Sequence, residues 1–126
     1  MTIPDQYNRL MPYLVIPNAY KFIDFMKVVF GAAEQMVAPR SEGVIMHGEL
    51  RIGDSVIMFA DVTEDISARP AGIFIYVDDL DEVYKKALAA GATSTMEPTQ
   101  QSYGYTCGLK DPFGNDWWPV EIPKEK

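Results

Sequence analysis

Apolar and polar positions along this chain pass through the same succession of spacings twice. An apolar run, Tyr13–Ile16, is followed by helical spacing from Ala19 to Val29, by Gly31-Ala32, and then by strand-like segments. In the second half Ile73–Val77 leads to helical spacing from Leu80 to Ala90, to Gly91-Ala92, and again to strand-like segments. Tyr20, Ile23, Lys27 and Phe30, together with Phe22, Met26 and Val29, make a broad apolar stripe in the first helix, with Lys21 and Asp24 outside it. Leu80, Val83, Tyr84, Ala87 and Leu88 make the stripe of the second. Gly31 and Gly91 suit the helix C-termini, and Asp78 and Asp79 suit the start of the second helix.

Turn chemistry places the hairpins. Gly53-Asp54 is a two-residue loop between the strands His47–Ile52 and Ser55–Ala60. Asp111-Pro112-Phe113-Gly114-Asn115 is a tight reversal, because proline sets φ, glycine accepts positive φ and the Asp and Asn side chains bond nearby backbone. Gly31 and Gly91, Met36 and Met96, and Gly48 and Gly108 each stand 60 positions apart, which points to an internal duplication. The expected fold class is α+β, built from two β-α-β-β-β modules at about 10–61 and 70–122 within a single domain, 1–126.

Composition narrows the partners. With 126 residues, 48% of them hydrophobic, the chain is long enough to bury a core. Its net charge of −7 disfavours nucleic acid and anionic membrane surfaces. Met1-Thr2-Ile3-Pro4-Asp5 does not resemble a secretory leader, and a lone cysteine, Cys107, forms no internal disulfide, so the expected address is cytoplasmic. Cys107 itself reads as a small buried hydrophobe.

The Gly53-Asp54 loop also fixes a register. It pairs Ile52 with Ser55, Arg51 with Val56, Glu49 with Met58 and His47 with Ala60, so His47, Glu49 and Arg51 share one face with Met58. His47 is the only histidine of the chain. The pair His47 and Glu49 suits a general base, a ligand pair or a polar recognition patch, or is simply the solvated side of a strand whose buried side is Met46, Gly48, Leu50 and Ile52. Trp117 and Trp118 alternate across their strand, so one packs inward and the other is free to stack on a flat ligand. Asp61, Glu64 and Asp65 read as an acidic loop.

The paired modules, Ile23-Asp24-Phe25 before Phe30-Gly31-Ala32, the run His47-Gly48-Glu49-Leu50-Arg51-Ile52-Gly53-Asp54-Ser55, and Asp111-Pro112-Phe113-Gly114-Asn115 resemble the vicinal oxygen chelate superfamily. That superfamily includes glyoxalase I, bleomycin-resistance proteins and extradiol dioxygenases, and the likeness is strongest to its PhnB-like branch, from Leu10 to Ile122. The resemblance implies a mixed sheet curled around a cleft, helices on its outer face, and a homodimer. Metal-using members place ligands on the first and last strand of each module, which here fall near Met11 to Tyr13, at Met58, near Ile73 and at Trp118. None of these is His, Asp or Glu, so neither metal nor cofactor is expected.

Three functions remain open at this point. One is a metal-independent protein binding a small, partly aromatic molecule through Tyr13, Met58, Trp118 and Tyr105, beside His47 and Glu49. Another is a divergent lyase, isomerase or dioxygenase-type enzyme with His47 and Glu49 as catalytic residues. The last is a structural or regulatory dimer.

Overall fold

The computed structural model describes residues 2–124, among which two helices and eight strands follow the expected order twice. The elements are β1 (Tyr13–Ile16), α1 (Ala19–Phe30), β2 (Ala33–Ser41), β3 (Val44–Ile52), β4 (Ser55–Asp61), β5 (Gly72–Val77), α2 (Leu80–Ala89), β6 (Thr93–Gln101), β7 (Gly104–Lys110) and β8 (Asp116–Glu121). They form two four-stranded mixed sheets, ordered β1-β4-β3-β2 and β5-β8-β7-β6. In each the first strand runs parallel to the last of its module and the remaining pairs are antiparallel. The chain divides into two compact units, one holding the first sheet with α1 up to Lys27, the other Val28–Phe30 and the chain from Ala71 onward.

In the first unit Leu14, Ile16, Phe22, Met26, Leu50 and Phe59 are buried completely or nearly so, and the Phe22 ring meets Phe59 edge-on at 5.2 Å. Gly48 lies directly over that ring, so close that a Cβ would fall on it. In the second unit Leu80, Ala87, Cys107, Leu109, Trp117 and Val120 are buried, and Phe30 stacks against Trp117 with ring centroids 4.7 Å apart.

The helix starts are held by carboxylates from distant strands. Asp61 ends β4 and is buried; its Oδ1 accepts from Ala19 N at the start of α1 and its Oδ2 from Ile45 N. It therefore satisfies an otherwise orphaned helix donor, in place of Asn18, whose side chain makes no cap and whose φ is 57°. Asp61 thus belongs to the helix start rather than to an acidic loop. Glu121, at the end of β8, accepts from Leu80 N in the same way, while Asp79 caps α2 locally through Glu82 N.

The two modules repeat a bulge as well. The β2–β3 register shifts between Glu34 and Met36, and the β6–β7 register shifts between Ser94 and Met96. The shift makes Gln35 and Thr95 the extra residues. Register also corrects the sixty-residue repeat at the glycines. Leu50 pairs with Ile57 and Leu109 with Trp117, so the structural counterpart of Gly108 is Glu49, not Gly48.

Candidate functional site

The face of the first sheet turned away from α1 carries the polar cluster. β3 pairs Glu49 with Met58 on one side and with Met36 on the other, and β1 pairs Tyr13 with Met58. Directly paired residues share a face, so Tyr13, Met36, Met58 and Glu49 lie together, with His47 two residues along from Glu49. The Arg51–Val56, Glu49–Met58 and Ile52–Ser55 pairings are those expected from the Gly53-Asp54 loop.

Glu49 is not solvated; only 2% of it is exposed. Met46, assigned to the buried side, is instead exposed, because the β2–β3 register passes from His47 to Ile45 and leaves Met46 as an extra residue, with Ile45 buried in its place. Three donors converge on the Glu49 carboxylate: Gln35 Nε2 on Oε1 at 3.0 Å, and Tyr7 Oη at 3.0 Å and His47 Nε2 at 2.8 Å on Oε2. Burial alone raises the pKa of a carboxyl group, but the hydrogen bonds from Gln35, His47 and Tyr7 outweigh it, and the Glu49 pKa is lowered. The hydrogen bond to Glu49, with burial behind it, raises that of the Tyr7 phenol.

An ionised carboxylate only accepts, so His47 Nε2 carries a hydrogen. The other ring nitrogen, Nδ1, lies 3.1 Å from Tyr13 Oη, with the two rings tilted by 32° and their centroids 5.5 Å apart. In the neutral imidazole Nδ1 is then an acceptor for the Tyr13 hydroxyl. Glu49, His47 and Tyr13 thus form a hydrogen-bonded chain from a buried anion to a half-exposed phenol. Glu49 orients and His47 is the group with basic capacity toward solvent, its side chain 26% exposed.

Two contributors to this cluster carry no signal in the strand pattern. Gln35 is the bulge residue, and the extra position aims its side chain at Glu49 and at Arg51, whose Nε and Nη2 donate to Gln35 Oε1. The segment before β1 also reaches the sheet. Gln6 O accepts from Arg51 Nη2 at 2.7 Å and from Gln35 Nε2 at 3.2 Å, and Asn8 Oδ1 accepts from Val56 N. Tyr7 is brought to Glu49 by that strap.

The second unit has a different face. Trp118 pairs with Phe74, and both are about half exposed, whereas Trp117 is buried with its Nε1 donating to Asp111 Oδ2 at 2.8 Å. Tyr105 is not with Trp118. Thr106 pairs with Val120, which shares the Trp118 face, so Tyr105 points to the α2 side, where its hydroxyl donates to Asp81 Oδ1 at 2.7 Å. That hydrogen bond raises the Tyr105 pKa. Cys107 is buried, and desolvation pushes its thiol up to about 11, which keeps it protonated and inert as a nucleophile.

The strand register allows a direct test of the metal positions of the resemblance. They are occupied by Tyr13 opposite Met58 and by Phe74, next to Ile73, opposite Trp118. Phenol, thioether, benzyl and indole groups do not fit zinc, nickel or iron, which take imidazole, carboxylate or thiolate. Among the described residues no three of His, Cys, Asp and Glu gather at one point.

A family model, the Glyoxalase/Bleomycin resistance protein/Dioxygenase superfamily, matches residues 6–118. The uncharacterized protein Mb0911c of Mycobacterium bovis is 32% identical over 120 residues, which span 86% of this chain and 79% of that one. Among solved structures, protein PA1353 from Pseudomonas aeruginosa superposes with a TM-score of 0.76 at 18% identity, over 93% of this chain and 99% of that one. A PhnB protein from Bacillus cereus gives 0.72 at 16% identity, over 91% and 100%.

Proposed function

The chain belongs to the glyoxalase/bleomycin resistance protein/dioxygenase superfamily, and from that premise we propose that it binds a small, partly aromatic molecule, without a metal, on the helix-free face of its first sheet. The observation that carries this is the buried Glu49 carboxylate, whose hydrogen bonds hold one imidazole in a single tautomer beside the exposed Tyr13 ring. Burying a carboxylate is costly without such bonds, and here they position a recognition group at the surface. Met36 and Met58 flank it with polarizable, adaptable thioethers. A cytoplasmic location and a homodimer are part of the same proposal. Support for the dimer comes from the edge strands of both sheets and from half-exposed Phe74, Tyr76 and Trp118. Among the described residues no helix is long and apolar enough to cross a membrane.

Thermal melting against a panel of small aromatic compounds tests the binding. A true ligand at one hundred times its Kd stabilises by about 2.7 kcal/mol, a rise of roughly 10 °C for a domain of this size, and His47→Ala weakens it. A panel that leaves the melting temperature unmoved sinks the reading. Quenching of tryptophan emission decides separately whether a ligand reaches Trp118.

The Glu49–His47–Tyr13 chain favours a second reading, a divergent lyase, isomerase or dioxygenase-type enzyme. His47 is then the base and Glu49 the group that orients it, as a carboxylate behind an imidazole does in general base catalysis. An identified turnover that survives His47→Ala removes this assignment.

A further inference from the structure

We propose that the ligand of this face is a neutral phenol or enol, taken by its O–H on His47 Nδ1, and that the Tyr13 hydroxyl holds that place in the free protein. The inference rests on the binding reading above and adds the chemical class of the ligand.

The hydrogen-bond roles leave little choice of ligand. Glu49 commits Nε2 as a donor, so the one lone pair the neutral imidazole offers is on Nδ1, and its partner must bring a hydrogen. Tyr13 shows what satisfies it: an aromatic O–H at 3.1 Å, with its ring tilted beside the imidazole. Tyr13 is the first residue of β1 and 48% exposed, whereas Leu14 and Ile16, on the other side of that strand, are buried. Its side chain can therefore leave Nδ1 by rotation about χ1 without opening the core.

With His47 neutral, charge disfavours an anionic ligand. A carboxylate or phosphate ligand would approach the buried Glu49 anion on a protein of net charge −7. The cation nearest along the strand, Arg51, is committed to Gln35 and to the carbonyl of Gln6. Met36 and Met58, paired with Glu49 on either side, supply soft contacts of the kind that suit an aromatic ring. A neutral, weakly acidic hydroxyl on a flat apolar body is the complement of this array.

Calorimetric titration of the full chain with 2-naphthol and with its methyl ether, 2-methoxynaphthalene, tests the proposal. The naphthol is expected to bind about tenfold more tightly, because only it donates to Nδ1. Tyr13→Phe removes the internal occupant and is expected to tighten the naphthol about fivefold. His47→Phe is expected to erase the preference; should that variant fail to fold, the ether comparison and Tyr13→Phe still decide. An ether that binds as well as the naphthol, or Tyr13→Phe binding more weakly than the parent, overturns the inference and leaves aromatic binding standing. Binding of neither compound by the parent or by Tyr13→Phe overturns both.

Discussion

At the residue scale Glu49 concentrates the chemistry. Its alternation with His47 and Arg51 along β3 fits a solvated strand face equally well, and only the neighbours show otherwise: Gln35 from a bulge, Tyr7 from the strap before β1, and Met36 and Met58 on either side. Burial raises the Glu49 pKa, the hydrogen bonds lower it, and the net direction is down. A group whose folded pKa is depressed contributes stability above its unfolded value, and that contribution is lost as pH falls through the folded one. Unfolding free energy measured by urea from pH 7 downward should therefore drop more steeply below the ordinary glutamate range in the parent than in Glu49→Gln. At pH 7 the variant should be destabilised by about 1–3 kcal/mol, since three donors lose a charged acceptor. Parallel curves for the two proteins would show that the Glu49 hydrogen bonds do not favour its ionised form.

At the scale of elements, turns and caps explain why these segments fold as they do. The Asp111 carboxylate accepts from Phe113 N and Asn115 N through Oδ1, and from Asn115 Nδ2 and Trp117 Nε1 through Oδ2. It ties the reversal between β7 and β8 to the buried tryptophan. Asp111→Ala leaves several buried donors without an acceptor and should cost about 3 kcal/mol or more, read by chemical denaturation with loss of near-ultraviolet tryptophan ellipticity. Gly48→Ala should cost about 1–3 kcal/mol, because the new methyl meets the buried Phe59 ring that already packs against Phe22. A melting temperature unchanged by Gly48→Ala would mean that the ring has room to move. The strands and helices were legible from periodicity and turn residues, with boundaries displaced by a residue or a few. The bulges at Gln35 and Thr95 were not, because the phase shift that one inserted residue causes falls in β2 and β6, whose mainly polar and small residues show no clear alternation to interrupt.

For the whole molecule, two units of the same design present different faces. The first combines a buried anion, an imidazole and a phenol; the second offers Phe74, Tyr76 and Trp118, all exposed by about half. Light scattering at micromolar concentration should give a dimer mass, with Trp118→Glu shifting it toward monomer; a monomer at every concentration refutes the proposed assembly. Sequence pattern is enough for the α+β class, the doubling of the β-α-β-β-β module, the hairpin register that sets Glu49 against Met58, and the alternation that separates Trp117 from Trp118. These follow from local rules, namely the period of side-chain direction and the backbone demands of Gly, Pro, Asp and Asn. Other features exist only in the packed chain: Glu49 is buried, Asp61 and Glu121 hold helix starts about 40 residues away in sequence, and Tyr105 turns toward Asp81 rather than Trp118. Burial and hydrogen-bond partnership depend on what distant segments lay against a residue, and no local pattern encodes that.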